Sequence, residues 1–538
     1  MARIDCCSAP YNCAPGASGA TNRTGLQAAV TAAAAYDELY FATGGTYNFD
    51  KPVGSIGVDF SGKADITLTL NGVVIRMDGD AGGSGATWRG VMLANCSGIR
   101  VVGGTFSQAT VSNFGEQCHM IQVGDGTATV RDVEFDNVRF ENGAGGDGIR
   151  IIGDGSTNTV EDVSITSCTF LECDRSAISI QRGVQNIVIA NNTFRGTGDQ
   201  SIDFEPTSAG PIGYFAVTGN VINNTVGTGV QVSLSGYSDS SKNTASVFSG
   251  NVINNGVVYS GNLIRCQFSN NTITSGTQCT TSDASMHFLR RVSGVTVIGN
   301  TIHRLAASTA GACIKFTQNN GEDPHNFSIQ SNICTQETLA KIIELDGCYS
   351  YQVQNNGLIS DVSTANTVEG IYSFASTVQT ENYIISGNRM ANLDAAANAV
   401  VHCRAYTPGS IEHGTGLIDT NLGENVRYGI LGSDSAINHI LPTVSKNYVD
   451  SGTLYAGAFT SLENDGSGGG GGLPGGVTLT AGITIDGSGG NVVLQGPIRI
   501  ITGTGSPSAE VQDAGTIYIR TDSPQLWMKE ANGWRQFN

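Results

Sequence analysis

Positive charge is scarce in this chain of 538 residues. Lys and Arg number 28 against 46 Asp and Glu, a net charge of −18, and only 14% of all residues are charged. A surface of that sign excludes nucleic acid as a partner, because phosphate binding needs basic patches. No run of 18 apolar residues occurs, so no helix spans a membrane and no membrane insertion is expected. The N-terminal MARIDCCSAPYNCAPG lacks the apolar core of a secretory signal. No phosphate-binding glycine loop or dinucleotide fingerprint follows a strand into a helix, so no cofactor is expected. Proline is limited to 12 residues and Trp to 3. The 13 cysteines show no metal-type spacing, even in the cluster Cys6, Cys7 and Cys13. They are expected to be free thiols serving as small core residues, and no metal site is expected.

What the chain has is glycine, 72 residues, with abundant Asn, Ser and Thr and 39% hydrophobic residues. Short apolar runs between turn formers point to an all-β protein. The runs repeat. VTGNVINN (217–224) recurs as FSGNVINN (248–255), FSNNTITS (268–275), VIGNTIHR (297–304), IQSNICTQ (329–336) and ISGNRMAN (385–392), after an earlier IANNTFRG (189–196). The repeated Asn falls at Asn192, Asn220, Asn251, Asn271, Asn300, Asn332 and Asn388. Steps of roughly 20 to 32 residues define the coils of a solenoid. One coil cannot bury its own apolar face, whereas a stack of coils can. The recurrent Asn predicts a ladder of stacked amides inside one bend.

A second family of strands follows each Asn turn by about ten residues. Its members include DGIRI (147–151), SAISIQR (176–182), SIDFEP (201–206), GVQVS (229–233), LIRCQ (263–267), CIKFT (313–317), GIYSF (370–374) and VVHCR (400–404). All alternate apolar and polar residues, the signature of a strand with one buried face. Stacking the polar positions predicts an outward column of Arg150, Ser179, Asp203, Gln231, Arg265, His287, Lys315, Tyr372 and His402. Beside it runs a shorter column of Gln181, Glu205, Ser233 and Gln267. A solvated solenoid face would look much the same, but such a strip also suits an extended polysaccharide, with Tyr372 able to stack on a sugar.

Within it, GDQSIDFEPT (198–207) concentrates Asp199, Asp203 and Glu205 in a chain poor in charge. Residues two apart on a strand put their Cα atoms ~6.6 Å apart on the same face. Glycoside hydrolysis uses two carboxyls about 5–5.5 Å apart for retention or about 6.5–9.5 Å for inversion. Asp203 and Glu205 are therefore the candidate catalytic pair, with neither expected to be buried. Asp147, Asp174 and Asp199 each precede a strand of this family and crowd the same edge. Arg150 and Arg182 are candidate substrate contacts, or the base of a lyase.

Ahead of the repeats, TGLQAAVTAAAAYDELYFATGGTYNF (24–49) reads as a helix opened by a Thr24–Gln27 capping box, then a strand and a glycine turn. A short amphipathic helix there covers the open first coil. This opening, followed by Asn-turn coils, resembles pectate-lyase-like right-handed parallel β-helix proteins, and bacteriophage tailspikes in particular. The resemblance covers about residues 20–460. GATNRT replaces the Asp-rich segment usual before that helix, so a role tied to those acids is absent. Beyond NDGSGGGGGLPGG, GTIYIRTD, LWMKE and GW resemble a small C-terminal module of phage tail fibres and spikes.

The expected organisation is an N-terminal arm (1–20), capping helix and first coils (21–95), β-helix with a carbohydrate groove (96–463), Gly-rich linker (464–476) and C-terminal module (477–538). The resemblance implies a homotrimeric spike on the virion, attached to phage tail or baseplate proteins. It would bind a bacterial surface polysaccharide, lipopolysaccharide O-antigen or capsule, and cleave it as a glycosidase. A polysaccharide lyase and a non-enzymatic receptor-binding spike are the alternatives.

Overall fold

The computed structural model describes residues 2–463, apart from 52–54, 79–86, 110–114, 155–158, 207–211, 227–228, 236–242, 245, 280–283, 307, 309–310, 320–321, 363–367, 376–379, 394–396, 406–415, 425, 434–442, 446, 450–452 and 457–460; beyond 463 it describes strand segments between 483 and 537. The chain forms two units, divided between Thr338 and Leu339.

In the first unit each coil contributes one strand to each of three parallel sheets of a right-handed β-solenoid. A representative coil runs Val160–Thr166, Thr169–Cys173 and Ile178–Gln181, and the next runs Val184–Ala190, Thr193–Arg195 and Ile202–Glu205. Strands stack in register, so like residues meet: Val163 on Ile187, Phe170 on Phe194, Ile178 on Ile202. Phe106, Phe140, Phe170 and Phe194 form one continuous stack inside the coil, with centroids 5.7, 4.8 and 4.9 Å apart. These rings are fully or almost fully buried. Alternation supplies them with apolar neighbours from all three sheets, which is how parallel strands come to have both a covered and an open face.

The bend between the first two strands of a coil carries the asparagines. Its first residue has positive φ, as in Asn191 (57°), Gly219 (65°) and Gly250 (64°), which explains why Asn and Gly predominate there, with Ser331 at one coil. The second residue is the buried Asn, and the expected ladder is present. Asn220 Nδ2 donates to Asn251 Oδ1 at 2.9 Å and to the Ile189 carbonyl at 2.9 Å. Its own Oδ1 accepts from Asn192 N and Nδ2, both at 3.0 Å.

The helix is Gly19–Ala32, five residues longer at its start than the sequence pattern indicates. Ser18 is the N-cap, its Oγ accepting from Thr21 N at 3.2 Å. The expected Thr24–Gln27 capping box does not form, because both residues lie inside the helix. Gln27 instead pairs with the backbone of Asp59, donating to its carbonyl (3.0 Å) and accepting from its N–H (2.7 Å). Leu26, Ala29 and Val30 are buried beneath, and the helix packs on the strands Gly45–Asp50 and Ile56–Asp59. Residues Arg3–Asp5 pair in parallel with Glu38–Tyr40.

The second unit has its own coils, with Lys341–Asp346, Glu369–Ala375, Ala397–Ala405 and Val426–Ser433 stacked in order. Asn356, Asn388, Asn421 and Asn447 make its amide ladder. Its last residues form the hairpin Ile483–Gly487/Gly490–Leu494 and a four-stranded sheet ending in Gln525–Glu530 and Gly533–Phe537, the strands that carry Trp527 and Trp534. The linker 464–476 lies outside the described residues. All thirteen cysteines are free, and all but Cys7 are buried. Burial pushes thiols such as Cys168 and Cys403 up to about 12. No helix among the described residues is long and apolar enough to cross a membrane.

Candidate active site

The third sheet presents its polar positions outward, and the order of its strands sets the site. Arg150 lies opposite Ser179, and Ser179 opposite Asp203; Gln181 lies opposite Glu205. The next residue against Asp203 is Ser233, not Gln231. The strand Val230–Ser235 pairs with Ile202–Glu205 two residues further along than expected, and Gln231 is bulged out of its pairing with Val257–Gly261. Gln231 is buried and structural, its Oε1 accepting from Thr197 Oγ1 (3.0 Å) and Ser201 Oγ (2.9 Å). The column continues through Tyr259, His287 and Lys315.

Arg265 does not belong to it. The strand Val257–Gly261 takes the place expected for residues 263–267, and Arg265 is an exposed turn residue with φ of 55°. Gln267 lies on a strand of the first sheet, opposite Val247. Nor is the strip uniformly solvated, since Ser179, His287, Tyr372 and His402 are all buried. In the second unit Tyr372 pairs with His402 in register, the two rings edge-on at 5.1 Å. Lys341 Nζ sits 4.7 Å from the Tyr372 ring centroid and Glu369 lies 2.5 Å from His402 Nδ1. The Tyr372 ring is thus not an open stacking platform.

Around Asp203 the structure assembles a charged network across four coils. Asp203 is only 8% exposed, contrary to the expectation that neither acid would be buried. Ile202 and Phe204 turn inward as alternation requires, but Asp203 is covered by its neighbours on the sheet. It hydrogen-bonds Glu205 and Ser233. Burial, then the hydrogen bond and the charge of Glu205, push Asp203 up to about 8; Ser233 and Arg175 oppose the shift. Loss of water and a like charge alongside both penalise the ionised form. Glu205 remains a third exposed and is anchored by Arg175 Nη2 at 2.7 Å and Gln181 Nε2 at 2.6 Å.

Arg175 also grips Asp147, with Nη1 3.1 and 3.2 Å from the two carboxylate oxygens. Asp147 is completely buried, accepts from Ser176 N (3.3 Å) and faces His119 Nδ1 at 3.2 Å. Burial works against the Arg175 charge, but Asp147, Glu205, Asp203 and Glu116 together hold its pKa above the ordinary value. His119 is fully buried, and burial lowers its pKa despite Asp147. Its Nε2 accepts from Arg150 Nη1 at 3.2 Å, since a guanidinium has only protons to offer. Asp199 and Asp174 stand at the same edge, Asp174 exposed and Asp199 half-buried. Burial raises the Asp199 pKa, with Asp174, Glu116 and Asp147 adding to the shift. Arg182 is half-buried just beyond Gln181.

Alternation and spacing had no means of finding Arg175 or of giving His119 a role. Arg175 stands before its strand, outside the period-2 pattern, and reaches across a coil on either side. Among the described residues no cluster of three or more His, Cys, Asp or Glu is arranged to hold a metal ion.

Residues 89–273 match the profile of the family described as the right handed beta helix region. This segment contains the whole network. No curated protein matches the chain. Among solved structures, it is similar to a tailspike protein mutant of Escherichia coli bacteriophage HK620 in complex with pentasaccharide, at 11% identity and a TM-score of 0.45, over 95% of this chain and 86% of that one. It is also similar to the A-module of Azotobacter vinelandii mannuronan C-5 epimerase AlgE4, at 13% identity and a TM-score of 0.36, over 88% and 100% of the two chains. The Dettilon tailspike protein aligns at 11% identity and a TM-score of 0.36, over 72% and 66%.

Proposed function

We propose that this right-handed β-helix is a phage tailspike that binds a bacterial surface polysaccharide, O-antigen or capsule, and hydrolyses it with Asp203 and Glu205. The observation that carries this reading is the pairing of a buried carboxyl, pushed up to about 8, with a partly exposed carboxylate held by an arginine. Hydrolysis needs one proton delivered to the glycosidic oxygen and one removed from the attacking water. A pair that holds a single proton between two carboxyls supplies the first and recovers the second. Arg175 offsets the negative charge left on the pair between the two steps. Gln181, Asp174, Asp199 and Arg182 stand at the accessible edge beside the pair and would offer donors and acceptors to the sugar hydroxyls, whereas Ser179 is buried beneath.

One observation favours a second reading, a spike that binds without cleaving. The two carboxyls touch, which is closer than the ~5 Å or more that glycosidases place between theirs. Gel filtration of digested host polysaccharide decides between the readings. A hydrolase shifts the polymer to short fragments with new reducing ends and no ultraviolet absorbance. Fragments that absorb in the ultraviolet indicate a lyase, and an unchanged elution profile indicates binding alone.

The spike assembles as a homotrimer on the phage tail, with residues 477–538 as its terminal clamp. The four-stranded sheet supports this, because a module that small buries little by itself. Deleting residues 464–538 should leave the β signal in circular dichroism and lower the mass by light scattering to that of single chains. An unchanged trimer mass would remove the clamp from the proposal.

A further inference from the structure

Arginines on the exposed faces of the first unit and two on its third sheet keep different company. On exposed faces Arg3 meets Glu38 at 2.7 Å, Arg100 meets Glu134 at 2.7 Å and Arg131 meets Glu161 at 3.4 Å. On the third sheet Arg89 and Arg150 pair with no carboxylate among the described residues. Arg89 Nε donates to Gln122 Oε1 at 2.9 Å. Arg150 donates to Gln117 Oε1 (2.9 Å), His119 Nε2 (3.2 Å) and Gln181 Oε1 (2.7 and 3.3 Å). Every one of these partners is neutral. Both arginines are half-buried, and burial pulls both below the ordinary guanidinium value. Asp147 attracts Arg150 but is already engaged by Arg175.

Their placement is as unusual as their partners. Arg89 and Arg150 stand on the strands either side of Gln117–Val123, and both guanidiniums reach onto that middle strand. Two like charges are thus brought over one strand, each raising the cost of the other, and among the described residues no carboxylate pairs directly with either, although Asp147 and Glu205 act on Arg150 from a distance. Partly desolvated charge of this kind is unfavourable until an opposite charge arrives. Guanidinium forks match carboxylates in geometry as well as sign. In a chain of net charge −18, an acidic polymer is held only where positive charge has been placed locally.

We infer that Arg89 and Arg150 form a subsite for a carboxylate-bearing sugar, so that the polysaccharide this protein recognises is an acidic one. The inference rests on the proposed polysaccharide-binding role and adds the substrate class. Arg150 lies two strands from Asp203 in the same column, about 10 Å along the solenoid axis. The polymer therefore runs across the strands, with its acidic residue bound a short way from the bond at Asp203.

The test uses the full chain carrying Asp203→Asn, so that binding is read without cleavage. A panel of purified capsular and O-polysaccharides is offered in native form and after carboxyl reduction, which turns each carboxylate into an alcohol. The polymers bound should carry carboxylates, and reduction should weaken binding at least tenfold. Arg89→Gln and Arg150→Gln should erase the difference between native and reduced polymer, while Arg150→Lys should retain part of it. Should Arg150→Gln fail to fold, Arg89→Gln carries the comparison. Equal binding of native and reduced forms, tight binding of a polymer without carboxylates, or binding of none of the acidic polymers would overturn the inference. Wild-type protein separates it from the hydrolase reading. Cleavage of an uncharged polymer ends this inference and keeps the hydrolase; an acidic polymer bound and never cleaved does the reverse.

Discussion

Two stacks of polar side chains climb through the coils of the first unit, and they are built on opposite rules. The ladder from Asn192 to Asn332 uses one residue type throughout, fully or almost fully buried at every step. Each amide repeats the same bonds, to the next Asn and to a carbonyl of the preceding coil. The stack through His119, Asp147, Arg175, Glu205 and Asp203 mixes imidazole, carboxyl and guanidinium groups, and most of them carry charge. A neutral ladder satisfies every donor and acceptor at no electrostatic cost, so it serves the scaffold. A buried charged cluster is weak evidence for stability, since apolar residues of similar size would do as well or better. Such a cluster across four coils is what the proposed hydrolysis would draw on, and a scaffold alone would not call for it.

The sharpest way to break that contrast is Asp203→Asn. Removing a general acid typically costs about 10²–10⁴ in rate, and turnover on host polysaccharide should fall by that much while binding persists. Activity of the unmodified protein should decline as pH rises through about 8, where Asp203 loses its proton. Stability follows the same group. Its carboxyl is raised in the folded state, so the native protein holds a proton that the unfolded chain releases between the ordinary carboxylate range and about 8. Stability from this group therefore falls as pH rises across that window, and Asn should flatten the slope. Urea melts at pH 5 and pH 9 give the check. Near-normal turnover in the mutant would make Asp203 an ordinary buried acid.

Arg175→Met comes next in size. It leaves Asp147 buried with its counter-charge gone, a change that typically costs about 3–5 kcal/mol. Urea titration should show that loss, whereas Asp174→Asn, at an exposed turn, should shift the midpoint little. Equal effects from the two substitutions would mean that the cluster is not held together through Arg175.

How much of this contrast could be read from residue order differs between the stacks. The ladder was legible because it repeats: Asn recurs at one bend, and a residue with positive φ, most often glycine or asparagine, stands before it. The acid pair was legible because charge is rare and Asp203 and Glu205 alternate with Ile202 and Phe204. The rest of the site depends on register between coils, which periodicity does not carry. The register of Ile202–Glu205 against Val230–Ser235 put Ser233 where Gln231 was expected, and the segment 263–267 splits at the left-handed Arg265 into Leu263–Ile264 and the start of Gln267–Ser269, neither in the third sheet. Burial of Asp203 was hidden too, because its cover comes from other coils.

Asn251→Ala tests the ladder at its centre. The substitution removes donors to Asn271 Oδ1 (3.0 Å) and the Val217 carbonyl (2.9 Å), and the acceptor that serves Asn220 N and Nδ2. Unsatisfied buried groups cost about 1–3 kcal/mol each, and neighbouring amides left without partners place the loss in that range. Unlike the change at Asp203, this one should be independent of pH between 5 and 9, since no group in the ladder titrates there. A loss that varied with pH would show that the two stacks are coupled.

The smallest effect belongs to the exposed pairs. Arg100 and Glu134 lie on neighbouring strands of the first sheet, joined by two hydrogen bonds of 2.7 and 2.9 Å, with half of the arginine side chain in solvent. Two parallel bonds give good geometry, but water screens the attraction and the long side chains lose freedom in forming it. Pairs of this kind contribute under about 1 kcal/mol. Arg100→Ala should therefore shift the urea midpoint only slightly, less so in high salt, and leave polysaccharide binding untouched. Weakened binding of acidic polymers in this variant would mean that recognition draws on positive charge over the whole particle, and not on Arg89 and Arg150.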